Sequence, residues 1–402
     1  MPTVNPEILR WARETAGLDL SEASTKLGIS DAYGLSSEER LRRLEAGEDT
    51  PSRPLLLKMT KQYRRPLLVF YMSDPPRKAS RGTDFRTLPD DYSPQYDALV
   101  DALIRRIQVR QGIIKAALEL EEDFQPLEFV GAYNLEAGVQ TILESIKQVI
   151  NFDLQSFRRQ PSPHEAFGWL RTQVENIGIF VLLVGDLGSH HTTIPPEVFR
   201  GFAIADRIAP FVIINDKDSH AAWSFTLIHE LAHIWLGQTG VSNTFAETAV
   251  EKFCNRVAGE LLLPINELDQ LNISRARNFE DLGQLISDFS FERNLSSSMV
   301  AYSLFLSNRI EYSTWTKLSK HYSDLWYQTR DEKREKNRGK ESGPNYYIVR
   351  RHRLGDGLIS LVQRFTAAGI LSTTKAAKVL DVKPVNISRL FDTGNTVSAG
   401  KS

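Results

Sequence analysis

Two histidines and a glutamate within one short stretch have the types and spacing of a metal site. His229 and His233 are four residues apart, in a chain that contains eight histidines. Residues four apart lie on one face of an α-helix, so both imidazoles can bind a single cation. Glu230 is one step round the helix from His229, where its carboxylate could activate water instead of binding the metal. The spacing therefore predicts a hydrolytic metal site.

The sequence around these residues predicts a buried helix that follows a strand. Residues 225–236 are otherwise almost entirely apolar, the run 211–215 has the composition of a strand, and residues 216–219 supply a turn and a helix N-cap. Gly237 stands where a helix C-cap is expected. Buried histidines beside a carboxylate cost free energy unless something binds them, which favours a metal site over a core helix with incidental histidines. We also expect residues 211–215 to form an edge strand that pairs with an extended substrate.

A catalytic zinc ion takes three protein ligands and leaves one position open for water. The third ligand is expected on the next predicted helix, residues 248–263, where Glu251 and Glu260 compete. Nine residues of helix rotate a side chain by about half a turn, so only one of the two glutamates can face the metal. Glu251 is favoured because Asn255, one turn further on, could hydrogen-bond the second nitrogen of a ligating imidazole. Cys254 is a poor candidate, since a lone buried thiol usually acts as a small apolar residue.

Taken in order, these motifs resemble the ImmA/IrrE family of zinc metallo-endopeptidases. The resemblance spans about residues 165–265 and is carried by four segments: 199–203, 210–215, 225–233 and 251–264. It implies a compact gluzincin-like α/β domain in which His229, His233 and Glu251 bind one Zn²⁺ per chain. It also implies that Glu230 is the catalytic general base and that the substrate is a protein regulator, typically a helix-turn-helix repressor. Cys254 stands where the family usually has alanine.

Composition limits the remaining possibilities. The 402 residues are enough for two or three domains, and the net charge of −1 with a pI near 6.7 gives no global attraction to nucleic acid. Any DNA binding must therefore come from a local basic face. The single cysteine excludes an internal disulfide and is typical of a reducing cytoplasm. The sequence contains no apolar run long enough for a membrane span and no signal-peptide pattern at its start, so we expect a cytoplasmic protein without membrane partners.

The first part of the chain predicts several short helices over residues 5–72. Their order resembles the XRE-type helix-turn-helix domain, including Glu45 and Gly47 at the end of the recognition segment. That segment departs from the pattern, because extra residues 31–34 precede it and acidic residues lie within it, where they would repel phosphate. Arg40 and Arg43 are the clear candidates for DNA contacts. The sequence leaves open whether this domain binds DNA, docks onto a protein or self-associates.

Two further segments near the C-terminus have a helix-turn-helix-like pattern. Residues 282–304 are expected to pack on the peptidase core. Residues 372–391 contain an alanine pair that permits close helix crossing, and Asn386, Ser388 and Arg389 could face outward on the second helix. This segment could complete the C-terminal module or contact DNA.

The sequence therefore predicts an α+β, mostly helical protein with an N-terminal helix-turn-helix domain, a central zinc peptidase domain containing a small sheet, and a helical C-terminal domain. The predicted boundaries are 1–73 for the XRE-like domain, 74–160 for a linker and helical connector, 161–265 for the peptidase domain and 266–402 for the C-terminal domain. The predicted function is site-specific cleavage of a repressor or antitoxin-like partner that controls gene expression in stress or in phage and mobile-element responses, with a homodimer and DNA as further possible partners. The alternative is a transcription regulator or toxin–antitoxin component that binds DNA or a partner and uses the metal site as a sensor.

Overall fold

The computed structural model describes residues 3–76, 94–242, 248–337 and 345–398. Within these ranges the protein is α+β and mostly helical, as predicted, with eighteen α-helices and one four-stranded sheet. The described residues fall into two compact units. The smaller contains residues 3–76, 94–108 and 186–194, and the larger contains the rest. Most of the linker predicted after residue 73 lies outside the described residues.

The smaller unit is built from short, strongly capped helices: α1 Pro6–Glu14, α2 Leu20–Leu27, α3 Ser37–Ala46, α4 Arg53–Gln62 and the first part of α5 Pro94–Leu118. Asp19 and Glu22 form a reciprocal capping box at the start of α2, which satisfies backbone N–H groups that have no partner inside the helix. The core of α1–α4 is held by a buried ion pair, in which Arg13 Nε lies 2.7 Å from Glu45 Oε1.

The first half of the larger unit surrounds a small sheet with helices. Its elements are α6 Val139–Val149, α7 Leu154–Arg158, α8 Pro163–Asn176, β1 Phe180–Leu183, β2 Gly201–Ile204, β3 Phe211–Ile214, α9 His220–Trp235, β4 Gly240–Ser242 and α10 Ala249–Leu262. Every residue of β1, β2 and β3 is buried. Helix α9 ends before Gly237, whose φ of 67° is the left-handed conformation that favours glycine at a helix end.

The strand order in the sheet is β1-β3-β2-β4, with β1 parallel to β3 and the other two pairings antiparallel. The predicted strand at residues 211–215 is therefore present as β3, but the prediction that it is an edge strand was wrong. Strand β3 hydrogen-bonds to a neighbour on each side and cannot accept a further strand. Strands β1 and β4 form the edges of the described sheet.

The second half of the larger unit is helical: α11 Ile265–Leu268, α12 Phe279–Phe291, α13 Ser297–Leu306, α14 Tyr312–Asn337, α15 Tyr346–Leu354, α16 Asp356–Ala367, α17 Thr373–Leu380 and α18 Ile387–Ser398. Helices α12, α13 and α14 contribute side chains to the same apolar core as α8, α9 and α10. In the described parts of the chain, every helix is too short or too polar to cross a bilayer. The four predicted domain boundaries stay predictions.

Candidate metal centre

Helix α9 carries the three residues of the predicted motif into the core of the larger unit. His229, Glu230 and His233 are 4%, 0% and 2% exposed. Almost all the remaining side chains between residues 222 and 235 are apolar, so α9 is buried on almost all sides. The two imidazoles lie one turn apart, with their Nε2 atoms separated by 3.2 Å.

Helix α10 brings a carboxylate to the same point. Glu251 is 5% exposed, and its Oε2 and Oε1 lie 3.1 Å from His229 Nε2 and 3.3 Å from His233 Nε2. Thr248 caps the helix by accepting a hydrogen bond from the Glu251 backbone N–H, which fixes the first turn from which this side chain projects. Among the described residues, His229, His233 and Glu251 form the group of possible ligands whose donor atoms all lie close together.

The spacing of these ligand atoms is close to that around a tetrahedral metal ion. Zinc bonds to histidine nitrogen and carboxylate oxygen are about 2.0–2.1 Å long, which separates neighbouring ligand atoms by about 3.3 Å. The two Nε2 atoms lie 3.2 Å apart, and each lies 3.1 or 3.3 Å from a different oxygen of Glu251. Two imidazoles and one carboxylate leave the fourth position for water or substrate, which is the ligand set of a catalytic site.

The electrostatics of Glu251 and His229 favour the forms that bind a cation, whereas those of His233 favour its protonated form, whose proton a bound cation would replace. Burial would raise the pKa of Glu251, but its hydrogen bonds with His229 and His233 outweigh burial and lower the pKa to about 2. Burial lowers the pKa of His229. The pKa of His233 is raised in spite of burial, because Cys254, Glu251 and Glu230 all favour its charged form. At neutral pH the centre therefore offers an ionised carboxylate and a neutral His229 imidazole.

Asn255 lies one turn after Glu251, beside the centre. Its side chain favours the charged form of the His229 imidazole and so opposes the effect of burial, which lowers the imidazole pKa. Burial raises the pKa of the Tyr302 phenol on α13, and the neighbouring Asn255 side chain opposes that rise. Tyr302 stands 47 residues after Asn255 in an ordinary helical pattern, so its spacing does not predict this proximity.

Strand β2 approaches α9 closely at the position of Glu230. A Cβ atom added to Gly201 would lie 2.6 Å from Thr226 Cγ2, 2.9 Å from Glu230 Oε1 and 3.0 Å from the Ile213 carbonyl oxygen. Only glycine leaves room for the Glu230 carboxylate beside the strand. Gly201 lies within a segment that carries the family resemblance, but its spacing alone did not predict this role.

Glu260 and Cys254, the other candidates on α10, do not belong to the ligand group. Glu260 hydrogen-bonds with Gln140 and pairs with Arg256 at the surface of α10. Cys254 is buried against His233. His190 and His191 are exposed and lie in a short 3₁₀ turn.

The two arginines predicted to contact DNA both lie on α3, where they bind groups of the same unit. Arg40 Nη1 donates to the carbonyl oxygen of Ser30. Arg43 Nε lies 3.0 Å from Asp49 Oδ2 and 3.4 Å from Glu48 Oε2. The structure thus gives both guanidinium groups partners within the protein itself.

Comparison with known proteins connects the central part of the chain to a peptidase family. The search of curated proteins and the search of solved structures gave no match. Residues 181–290 match the model of the peptidase M78 family, described as the IrrE N-terminal-like domain. The match runs from β1 to α12 and includes His229, Glu230, His233 and Glu251. The buried centre therefore lies in a region that is similar to the IrrE N-terminal-like domain of a peptidase family.

Proposed function

We propose that this protein is a zinc-dependent endopeptidase that cleaves a protein regulator. The observation that carries the proposal is the approach of His229, His233 and Glu251, whose donor atoms are 3.1–3.3 Å apart beside Glu230. A carboxylate next to two metal ligands on one helix is the arrangement that hydrolytic chemistry needs. A structural zinc site is usually closed by four protein ligands and has no use for a base.

The residues of the centre have separable roles in this proposal. Bound zinc would act as a Lewis acid that polarises the scissile carbonyl and lowers the pKa of water. Glu230 accepts the proton of the attacking water and passes it to the leaving amine. Asn255 fixes the orientation of the His229 ring, and Tyr302 holds the Asn255 amide in place. The buried surroundings of α9 strengthen each of these electrostatic interactions.

The sheet offers a place for an extended substrate on the same side as the base. Gly201 of β2 approaches Glu230 and is paired with Ser242 of β4, the edge strand beyond it. A peptide that paired with the outer edge of β4 would lie about 4.8 Å from β4, on the side away from β2. We therefore assign substrate pairing to β4, in place of the buried β3 expected from the sequence.

A helix-turn-helix repressor or an antitoxin-like partner is the substrate class we propose. The support is the resemblance of the central motifs to the ImmA/IrrE family and the match of residues 181–290 to the IrrE N-terminal-like domain. Recognition by such a partner would make cleavage specific to one site, with little activity on generic peptides.

The test begins with metal content. Purified wild type should contain about one zinc per chain by mass spectrometry, and His233→Ala should contain none. Incubation of the zinc-loaded wild type with the protein encoded next to its gene should release a discrete fragment. Glu230→Gln should keep its zinc and produce no fragment, because the substitution removes the base and leaves the three ligands.

Three results would contradict the proposal. If the wild-type protein binds no zinc, it has no catalytic metal centre of the kind proposed. A fragment produced equally by wild type and Glu230→Gln would show that a contaminating protease cleaves the neighbour. Zinc-loaded protein that cleaves no candidate, in a cell where Glu230→Gln has no phenotype, would favour the sensor function.

A further inference from the structure

The segment formed by α17 and the start of α18 has the geometry of a helix-turn-helix. Helix α17 ends at Leu380, and a 3₁₀ turn at Pro384–Asn386 leads directly into α18. The two α-helices are therefore joined by residues 381–386, of which residues 381–383 precede the 3₁₀ turn. Helix-turn-helix motifs use three or four residues here, with one in the left-handed conformation that glycine commonly adopts. Asp381 takes that conformation, with φ 51° and ψ 50°.

Two arginines, Arg110 buried and Arg350 half-buried, hold this turn from behind. Arg350 on α15 donates to the Leu380 carbonyl oxygen from Nε and Nη2, at 2.9 and 2.8 Å. Its Nη2 lies 2.9 Å from Asp381 Oδ2, and Arg110 Nη2 lies 3.2 Å from the same oxygen. The guanidinium groups satisfy the end of α17 and neutralise Asp381. The turn is thus fixed, and its acidic side chain is compensated from inside the protein.

The outward side of the segment is basic as a result. Residues 372–392 contain four basic side chains against Asp381 and Asp392. Lys375, Lys378 and Lys383 are exposed, and within the described parts of the chain no acidic side chain pairs with them. The apolar side chains of α17 and α18 face the other way, since Ala376, Leu380 and Leu390 are buried. Charge and packing therefore separate the segment into an inner and an outer face.

The α2–α3 segment of the smaller unit differs in the length of its connection and in the charge of its surface. Its connection, residues 28–36, has nine residues and contains a bridge between Ala32 and Leu35, so it is longer than a helix-turn-helix turn. Its exposed arginines are compensated locally. Arg42 pairs with Glu39, and Arg43 pairs with Glu48 and Asp49. A phosphate would have to displace these acids, which makes the approach of DNA unfavourable.

We propose that the protein binds double-stranded DNA through α17 and the start of α18, and not through α3. In a helix-turn-helix, the first helix crosses the phosphate backbone and the N-terminal residues of the second helix face the major groove. Lys375 and Lys378 on α17, with Lys383 in the turn, neutralise phosphates and position the segment. Ser388 and Arg389, exposed at the start of α18, face the base edges. This activity is independent of the peptidase centre.

The test measures binding of the full-length protein to a fluorescein-labelled 30-base-pair duplex by anisotropy, between 50 and 200 mM KCl. Lys375→Gln/Lys378→Gln/Lys383→Gln should weaken binding at least 10-fold at 50 mM KCl. It should also reduce the slope of log affinity against log salt by about 2 to 3, because three phosphate contacts are lost. The same three positions changed to arginine keep their charge and should bind as wild type does.

The matched control removes the same charge from α3. Arg40→Gln/Arg42→Gln/Arg43→Gln should change the affinity less than twofold. Thermal unfolding followed by circular dichroism verifies that all variants are folded. The proposal is overturned if wild type does not bind the duplex at 20 µM protein, if the lysine variant binds as wild type does, or if the α3 variant loses as much affinity. Zinc content and cleavage should be unchanged in every variant, so the result is separate from the peptidase test.

Discussion

The metal centre and helix α3 both begin as charged residues at helical spacing, yet the fold uses them differently. At the centre, His229 and His233 on α9 meet Glu251 from α10, and all three are at most 5% exposed. On α3, Arg42 and Arg43 pair with acids at most six residues away in the sequence. Charges that converge from separate buried elements form a site for a ligand, whereas charges compensated within one exposed segment only stabilise it slightly.

The largest effect is expected from the carboxylate that α10 contributes. Glu251→Gln should lower zinc affinity more than 1,000-fold, because an ionised ligand is replaced by a neutral amide. Glu260→Gln on the same helix is the matched control and should bind zinc as wild type does. Competition with a fluorescent chelator measures both affinities. Equal loss in the two variants would mean that α10 as a whole, and not the Glu251 carboxylate, supports the metal.

A smaller loss is expected when the space beside the base is filled. Gly201→Ala places a methyl group against Glu230, Thr226 and the Ile213 carbonyl, so the strand or the carboxylate must move. We expect a cost of about 1–3 kcal/mol in unfolding free energy and at least a 10-fold loss of cleavage with zinc retained. Gly259→Ala, where an added Cβ meets nothing within 4 Å, should leave both unchanged. Denaturant melts and fragment yield provide the measurements, and normal cleavage by Gly201→Ala would contradict this role.

The hydroxyl of Tyr302 should have a moderate effect on zinc affinity. Tyr302→Phe removes only the hydroxyl that holds the Asn255 amide and should lower zinc affinity about 10-fold. Tyr322→Phe is the control, since the Tyr322 hydroxyl donates to the Gly283 carbonyl at 2.9 Å, away from the centre. It should reduce stability by about 1 kcal/mol without changing zinc affinity. Similar zinc affinities for the two variants would restrict Tyr302 to a packing role.

Without metal, Glu251 should make the stability of the larger unit depend on pH. Its pKa falls from 4.5 to about 2 on folding, so the unfolded chain binds a proton more readily between these values. The contribution of Glu251 is present above pH 4.5 and is lost as the pH falls toward 2. Chelator-treated wild type should therefore lose more stability between pH 5 and 3 than chelator-treated Glu251→Gln. Urea melts at these pH values measure the unfolding free energy. The same pH dependence in both proteins would contradict the lowered pKa of Glu251.

The smallest effect is expected on α3. Arg43→Gln removes exposed pairs with Glu48 and Asp49 and should change the unfolding free energy by no more than about 0.5 kcal/mol, without any effect on zinc. Urea denaturation and zinc titration check both values. A loss of several kcal/mol would place Arg43 in the structural core together with the buried Arg13–Glu45 pair.

Local periodicity makes part of the centre predictable from the amino-acid sequence. The helical repeat places His229 and His233 on one face, and the polar partner one turn after Glu251 distinguishes it from Glu260. The caps at residues 216–219 and Gly237 define the ends of the helix. These features depend only on neighbouring residues, so they are readable without knowledge of the fold.

Which elements meet depends on the packing of the whole larger unit. A four-residue apolar run has the same pattern at an edge and inside a sheet, so the position of β3 between β1 and β2 depended on strands from other parts of the chain. The contact of Tyr302 with Asn255 and the space beside Gly201 likewise join distant segments. On α3 the sequence placed arginines and acids close together, but their side-chain conformations determined that the charges compensate one another. Periodicity fixes which face a residue occupies, whereas packing fixes what that face contacts.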